Sequence, residues 1–327
     1  MPNVPCVPHH PHAGYGTAVL ACILLFNSAH AAWSETCKPR HPLPTINLKD
    51  MGVCDFNLDS LSYRGTPEEQ AKCLMRGEDQ SRNLGPPMEN LPDALASRVG
   101  RDTGLPTRET LSTYLSKQDL EWTLAVNLWQ PVSHAEDNNP DAPLATYFVI
   151  HDTSGPNYGH REFPDDIDST SKINNLKNFS CADGWGVAHV VVNRSGDMLV
   201  NHDFATPWRE TKFERAVDFV GTLKGLFLHV EMIQPRRSAP GHSRYNDAQP
   251  PSPAFTTAQY DRLALLYTVA SVRAGRWLIP AYHAAIDASI RDGHDDPKGF
   301  DPETFGNSLT LLMERLHGPE AAQAAPQ

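Results

Sequence analysis

An apolar run that ends at a histidine, near the middle of the chain, is the feature that most constrains the fold. Residues 145–150 are mostly aromatic, β-branched or small, and His151 is followed by polar residues and Gly155-Pro156. Such a run is typical of a buried strand, and the polar residues mark its end. A histidine there is held on a rigid element beside a cleft, which suits a metal ligand or a catalytic base. The alternative is a histidine that only ends the strand.

The patterns after this run predict an α/β domain. Strands alternate with helices, so residues 141–317 are predicted to form an α/β domain with a mixed central β-sheet flanked by helices. The strands are predicted at residues 186–193, 198–201 and 225–233, with a turn at 194–197. The two main helices are predicted from Thr256 or Thr257 to Gly275, and from Asp301-Pro302 through Leu316.

The first 31 residues are similar to an export signal. Residues 16–26 form an apolar core of suitable length, and Ala29-His30-Ala31 matches an A-x-A cleavage site. The usual positive charges are missing, since residues 1–31 contain no Lys or Arg. The apolar core is too short to span a bilayer comfortably. We therefore expect cleavage after this segment, a periplasmic or secreted protein, and no stable membrane insertion.

The cysteines predict disulfides in an N-terminal extension, residues 32–140. Four cysteines remain after signal cleavage, and in an exported chain they indicate two disulfides with three connectivities open. Their spacing does not match a zinc knuckle. We expect at least one bridge within the extension and Cys181 as an anchor to the main domain. The four are Cys37, Cys54, Cys73 and Cys181. Short helices are predicted at about 66–76, 92–99 and 107–115, and a disordered tail at 318–327.

Histidine and aspartate are concentrated at residues 279–301, in a predicted loop region between the two predicted C-terminal helices. A catalytic zinc site takes three protein ligands, usually histidine and carboxylate, and leaves one position for water. His151, His283 and one acid or histidine from residues 294–296 would supply that set. A solvated acidic loop is the alternative. The net charge of −11 argues against a nucleic-acid partner, because phosphate binding needs a basic face.

Five short pieces of the chain occur in a recognisable order. They are the strand ending in His151, the strand–turn–strand at 187–197, the strand at 225–231, the Thr-x-x-Gln-Tyr helix start at 256–260, and a last group of His283, Asp296-Pro297 and Phe300-Asp301. In this order they resemble the type-2 N-acetylmuramoyl-L-alanine amidases, zinc enzymes that share a fold with the peptidoglycan recognition proteins. The resemblance covers roughly residues 144–317.

The resemblance implies a zinc-dependent hydrolase of peptidoglycan. It implies that His151, His283 and Asp296 bind the zinc and that the amide between N-acetylmuramic acid and L-alanine is cleaved. The partners would be peptidoglycan or muropeptides. A carboxylate near the metal would take the proton of the attacking water, and a cationic or hydrogen-bonding group would stabilise the oxyanion.

The chain departs from the family pattern at two catalytic positions. The closest register puts His229 where the family has its glutamate, and Glu231 two residues later. Glu231 is expected as the general base, with His229 as a partner of the metal site or as the alternative base. His294 stands two residues before Asp296, where the family often has lysine. It is expected to donate a hydrogen bond to the oxyanion or, alternatively, to be the third metal ligand. The long separation of the two loop ligands also leaves Asp295 open as that ligand.

Two other functions compete with the amidase interpretation. One is a non-catalytic peptidoglycan-binding module of the same fold, and the other is a zinc peptidase or amidase toxin that acts on stem peptides. A full set of metal ligands argues against the first. His189 is expected to be packed inside its strand, and Trp208 to offer an aromatic wall to a sugar or peptide. Arg236 and Arg237 are expected on the surface or against a carboxylate of the stem peptide.

Overall fold

The structure, a computed structural model, describes residues 54–321 except 79–83, 121–122, 125, 181–187, 220, 239–247, 289 and 291–292. The described residues lie in one compact unit. The predicted signal peptide, Cys37, Cys181 and residues 322–327 fall outside them. Within the described part, no helix has the length and apolar character needed to cross a membrane.

The helices and strands of this part alternate along the chain. In order they are β1 (Phe56–Asn57), β2 (Ser62–Tyr63), α1 (Pro67–Leu74), α2 (Asp93–Ala96), α3 (Arg108–Lys117), α4 (Ala135–Asn138), β3 (Tyr147–Asp152), α5 (Ser171–Asn174), a 3₁₀ turn (Leu176–Phe179), β4 (Val190–Val192), β5 (Met198–Val200), α6 (Lys212–Arg215), β6 (Phe227–Met232), β7 (Arg237–Ser238), β8 (Ala248–Gln249), α7 (Thr257–Ala274), β9 (Ile279–Tyr282), α8 (His283–Ile286) and α9 (Pro302–Ala321).

A five-stranded mixed sheet in the order β5-β4-β6-β3-β9 organises the described part of the chain. β4, β6, β3 and β9 run parallel, and β5 returns antiparallel to β4. The predicted mixed α/β fold is thereby confirmed. In the turn between β4 and β5, Gly196 adopts a φ of 83°, a conformation that favours glycine. The carboxyl ends of the parallel strands meet at one edge, which therefore collects the side chains at the ends of β3, β6 and β9.

Helix α7 packs on one face of the sheet, and α9 packs on α7. A capping box between Thr256 and Gln259 begins α7, and Gly275 ends it in the left-handed conformation, where the sequence places its start and end. Tyr267 of this helix meets Phe148 of β3 edge to face, with ring centres 5.3 Å apart. Both rings are fully buried, so this layer belongs to the hydrophobic core.

The N-terminal extension packs on the opposite face. There the Tyr147 hydroxyl accepts a hydrogen bond from the Tyr63 N–H (2.9 Å) and donates one to Oε1 of Gln70 on α1 (2.8 Å). A disulfide joins Cys54 to Cys73, which confirms the expected bridge within the extension. Helix α1 also packs against β9 and α8. The extension therefore shares its core with the main domain and contacts elements that hold the candidate site.

Two segments differ from the sequence-based expectation. Residues 279–287 are predicted as loop, but Ile279–Tyr282 form strand β9 and His283–Ile286 a helical turn. Four residues that include Pro280 are a weak strand signal, and proline is tolerated here because β9 lies at the edge of the sheet. Helix α9 continues to Ala321 across a break at Gly318, so the first residues of the predicted disordered tail are helical.

Candidate metal centre

Three sequence-predicted ligands meet at the carboxyl edge of the sheet. His151 lies near the end of β3, His283 directly follows β9, and Asp296 lies in the loop after α8. The Nδ1 atoms of His151 and His283 are 2.9 Å apart. Oδ2 of Asp296 lies 3.2 Å from Nδ1 of His283 and 3.5 Å from Nδ1 of His151. The two histidines converge because β3 and β9 are adjacent parallel strands.

The three side chains form a buried group that can hold a metal ion. One ligand atom from each lies within 4.8 Å of the others, and no other such group occurs among the residues that the structure describes. The alternative third ligands lie outside the group. Asp295 pairs with Nζ of Lys298 (3.3 Å). The half-exposed His294 has Nδ1 3.4 Å from Oδ1 of Asp296, and its ring stacks on His283 at 4.5 Å.

Asp152, the residue after His151, anchors the loop that carries Asp296. Its N–H donates to Oδ2 of Asp296 (3.2 Å), and its own Oδ2 accepts from the N–H of Lys298 (2.8 Å). Nη2 of Arg236 donates to both oxygens of Asp152 (2.9 and 2.7 Å). Arg236 is therefore a buried structural residue, so the expectation of a surface arginine is wrong for it.

The outward nitrogen of each histidine ligand has its own partner. Nε2 of His283 lies 2.9 Å from Oδ2 of Asp287. Nε2 of His151 lies 3.0 Å from Nδ1 of His229, whose Nε2 lies 3.2 Å from Oε2 of Glu214. Such partners orient the ring and define which nitrogen carries the proton. They leave both Nδ1 atoms directed toward the common centre.

The hydrogen bonds among the buried histidines define which ring nitrogen of each one carries the proton. His151 donates Nε2–H to His229, and His229 donates Nε2–H to Glu214. The backbone N–H of His229 donates to Nδ1 of His189 (3.1 Å), which requires the proton of His189 on Nε2. That nitrogen lies 3.0 Å from the carbonyl oxygen of Thr206 and donates to it. His189 is thus a packed histidine, as expected from the sequence.

Charge is unevenly divided between the two histidine ligands. Burial, together with the nearby His283, lowers the pKa of His151 to about 3. Burial also acts to lower the pKa of His283, but the carboxylates of Asp296 and Asp287 outweigh it and raise that pKa well above the usual value. Burial opposes ionisation of Asp296, yet the imidazoles beside it bring its pKa well below the ordinary range. At neutral pH, therefore, His151 is neutral, His283 is cationic and Asp296 is ionised.

The residues fit a metal ion by their chemistry. Two imidazole nitrogens and one carboxylate make up a three-ligand set, and each imidazole is oriented from behind. Oδ1 of Asp296 is buried and accepts no hydrogen bond from the described residues. A bound cation would satisfy this oxygen. It would also replace the positive charge that His283 carries between two carboxylates.

The other predicted catalytic residues differ in how deeply they are buried near this centre. Glu231 is the Cα partner of His151 in the β3–β6 ladder and is partly buried, so it stands at the same edge of the sheet. His229 projects from the same face as Glu231 but is fully buried between His151 and Glu214. His294 lies at the exposed rim.

One further expectation about a binding residue is wrong, that for Trp208, whereas the expectation of a surface position holds for Arg237. Trp208 is buried and stacks on His202, with ring centres 3.9 Å apart, so it offers no exposed aromatic wall. Arg237 lies near the surface and pairs with Glu162 and the Phe163 ring. Of the two adjacent arginines, only Arg237 is close to the surface position expected.

Glu214, Asp287 and Asp152 support the centre but are absent from the sequence-based set. Asp287 stands four residues after His283, a spacing that brings side chains together on a helix, and this signal was available. Glu214 closes a capping box with Thr211, so its sequence context predicts a helix start and hides its contact with His229. Glu214 is buried, which raises its pKa to about 7.

Comparisons with protein-family models, with curated proteins and with solved structures find no match to this chain. The site is thus defined by its own geometry, as a buried His-His-Asp group at the carboxyl edge of a mixed sheet.

Proposed function

We propose that this protein is a zinc-dependent amidase of peptidoglycan that acts outside the cytoplasm. The observation that carries the proposal is the convergence of His151, His283 and Asp296 at the edge of the sheet. Catalytic zinc sites use three ligands of this kind. The order of sequence pieces that resembles the type-2 amidases supplies the substrate class, the amide between N-acetylmuramic acid and L-alanine. The Cys54–Cys73 disulfide supports a periplasmic or secreted location.

His151, His283 and Asp296 would hold the ion, whose charge would supply polarisation of the amide carbonyl and a lowered pKa of a water. Glu231, at the same edge of the sheet, is assigned the role of accepting the proton of the attacking water. His294, half exposed beside Asp296, is assigned the donation of a hydrogen bond to the carbonyl oxygen as it becomes negative.

The contacts of His229 favour Glu231 over His229 as the base. His229 is fully buried, and both of its ring nitrogens are engaged, one with His151 and the other with Glu214. Because both nitrogens of its ring are engaged, His229 orients the metal ligand His151. A general base must reach the water of the reaction, and the partly buried Glu231 meets that need better.

The experiment is metal analysis combined with mass spectrometry of muropeptides after digestion. Purified protein should carry about one zinc per chain and release intact stem peptides from N-acetylmuramic acid, and a chelator should abolish release. His151→Ala should lose the metal. Glu231→Gln should keep the zinc and lose rate by about 10²-fold or more, the usual contribution of a general base.

His317→Gln is the matched control, because His317 lies on α9 and hydrogen-bonds only to the Met313 carbonyl among the described residues. It should keep both zinc and rate. Cleavage within the stem peptide would replace the amidase by a peptidase, and binding without cleavage would favour the non-catalytic module. Iron in place of zinc would refute the metal assignment, since a His-His-carboxylate set also serves iron.

A further inference from the structure

A small cleft lies beside the candidate metal centre, and the N-terminal extension forms one of its walls. Its volume is about 150 Å³. Glu78 and Leu84 line it from the extension, and Ile290 and His294 line it from the segment that leads to Asp296. A cavity of this volume can accommodate a group about the size of benzene. A substrate bound at the centre could therefore place a short side chain in it.

Glu78 turns its carboxylate into the protein. The residue as a whole is partly exposed, yet both carboxylate oxygens are buried and have no hydrogen-bond partner among the described residues. Long charged side chains normally do the reverse, keeping the head in water and burying the stem. A buried carboxylate is normally paired, because leaving it unpaired is costly. Burial, with the nearby Asp295 carboxylate, raises the pKa of Glu78 to about 8.

The neighbouring cations are engaged by other acids. Arg236 donates to Asp152 at 2.7 and 2.9 Å. Nζ of Lys298 lies 3.3 Å from Asp295. Within the described part of the chain, no cationic side chain forms an ion pair with Glu78. The described cations therefore leave this carboxylate open to a positive group of a ligand.

Asp287, the other carboxylate of the cleft, is already satisfied. Asp287 accepts from His283 (2.9 Å) and from two backbone N–H groups at the start of α6 (3.0 Å each). His294 stacks on His283 and approaches Asp296. Aliphatic side chains form the other part of the wall, those of Leu84, Ala284, Ala288 and Ile290. An aliphatic wall with one unpaired carboxylate complements an aliphatic chain that ends in a cation.

We propose that this cleft is a subsite for a primary ammonium group on a short aliphatic chain, with Glu78 as its counter-charge. An ammonium offers three donors, and charge-assisted hydrogen bonds to a carboxylate are the strong kind. Glu78 is not part of the group of ligand atoms that can share a metal ion, so a second ion is not the better ligand. If the proposed function holds, on which this last step rests, the ligand is the amine-bearing side chain of a diamino acid in the stem peptide.

The first test measures binding and needs no hydrolysis. Full-length protein labelled with ¹³C at the glutamate carboxyls is titrated with n-butylammonium and with the neutral N-butylacetamide. The Glu78 signal is identified by its loss in Glu78→Gln, or by its loss in Glu78→Asp if the first variant fails to fold. The butylammonium should shift this signal saturably, at a concentration about ten- to a hundredfold lower than the neutral probe. An unmoved signal, or equal effects of the two probes, overturns the subsite.

The second test compares muropeptides with a free or an acetylated side-chain amine. Glu78→Gln should raise KM for the free amine about tenfold and leave KM for the acetylated form and kcat nearly unchanged. Glu68→Gln, on the same extension but with an exposed carboxylate paired to Lys72, is the control and should change neither. A fall in kcat for both substrates would make Glu78 a catalytic acid and overturn the subsite. If no muropeptide is cleaved, the proposed function fails, and the butylammonium titration still decides the subsite.

Discussion

Binding of zinc should release one proton per ion near pH 6, and that proton should come from His283. The count follows from the charges of the three ligands. The pKa of His151, lowered to about 3, means that this ring is already neutral, and the pKa of Asp296 lies well below its usual range. Of the three ligands, only His283 has a raised pKa, so only its ring must lose a proton before its Nδ1 can bind the metal.

The sign and size of the pH dependence follow directly. Below the raised pKa of His283, each unit of increasing pH makes the deprotonated ring ten times more abundant. The zinc Kd should therefore fall about tenfold per pH unit, or about 1.4 kcal/mol. From pH 5 to 6.5 this amounts to roughly a 30-fold tightening. Two histidines with ordinary pKa values would instead release about 1.5 protons together at pH 6.

Calorimetric titrations of the metal-free protein with zinc, in buffers of different ionisation enthalpy, count the protons. At pH 6 the water that zinc ionises near pH 7 contributes little to the count. Nitrogen NMR of the metal-free protein at pH 6.5 should find His283 mostly protonated on both ring nitrogens and His151 on one. A release near zero or near 1.5 protons, or a neutral His283 at pH 6.5, would refute the assignment of charge.

Three smaller perturbations test the supports of the centre and the fold. Asp287→Asn should weaken zinc binding about 10- to 100-fold, the usual effect of losing the carboxylate behind a histidine ligand, as measured by competition with a chromophoric chelator. Tyr147→Phe should lower the free energy of unfolding in urea by about 1–3 kcal/mol while leaving zinc affinity unchanged, because it leaves a buried N–H of the extension without an acceptor. Gly196→Ala should cost more stability than Gly104→Ala, since both have positive φ but only the first places a Cβ 2.9 Å from the Ala258 carbonyl oxygen. An unchanged zinc affinity of Asp287→Asn would contradict the first argument. A stability loss below about 0.5 kcal/mol for Tyr147→Phe would contradict the second, and equal losses for the two glycine variants would contradict the third.

The ligands that could be predicted from the sequence are those attached to a strong local pattern. His151 ends an apolar strand, and His283 and Asp296 occur in a segment rich in histidine and aspartate. Two hydrophobic strands that lie side by side in a parallel sheet bring their carboxyl ends together, so a histidine at each end suffices to propose a shared site. Residue types alone do not distinguish Asp296 from Asp295, because adjacent carboxylates are equivalent in such a pattern, and only the resemblance favours Asp296.

The supporting residues could not be predicted because their partners are distant in the chain. Glu214 contacts His229 only through the tertiary fold, and locally it is a helix cap. Glu78 reaches the cleft because helix α1 packs on β9 and α8, and no pattern near Glu78 announces that contact. Strand β9 was missed for a different reason. A proline within four residues lowers strand propensity, and only its place at the sheet edge makes it acceptable.

Pro280 has one more consequence for how a substrate can approach. β9 is the edge strand next to the candidate centre, and an open edge invites an extended peptide to join the sheet by backbone pairing. A proline lacks the amide hydrogen that such pairing uses, and helix α1 already packs against the same strand. The β9 edge is therefore poorly suited to pair with an extended chain, and a peptide near it would be contacted by side chains around the strand ends.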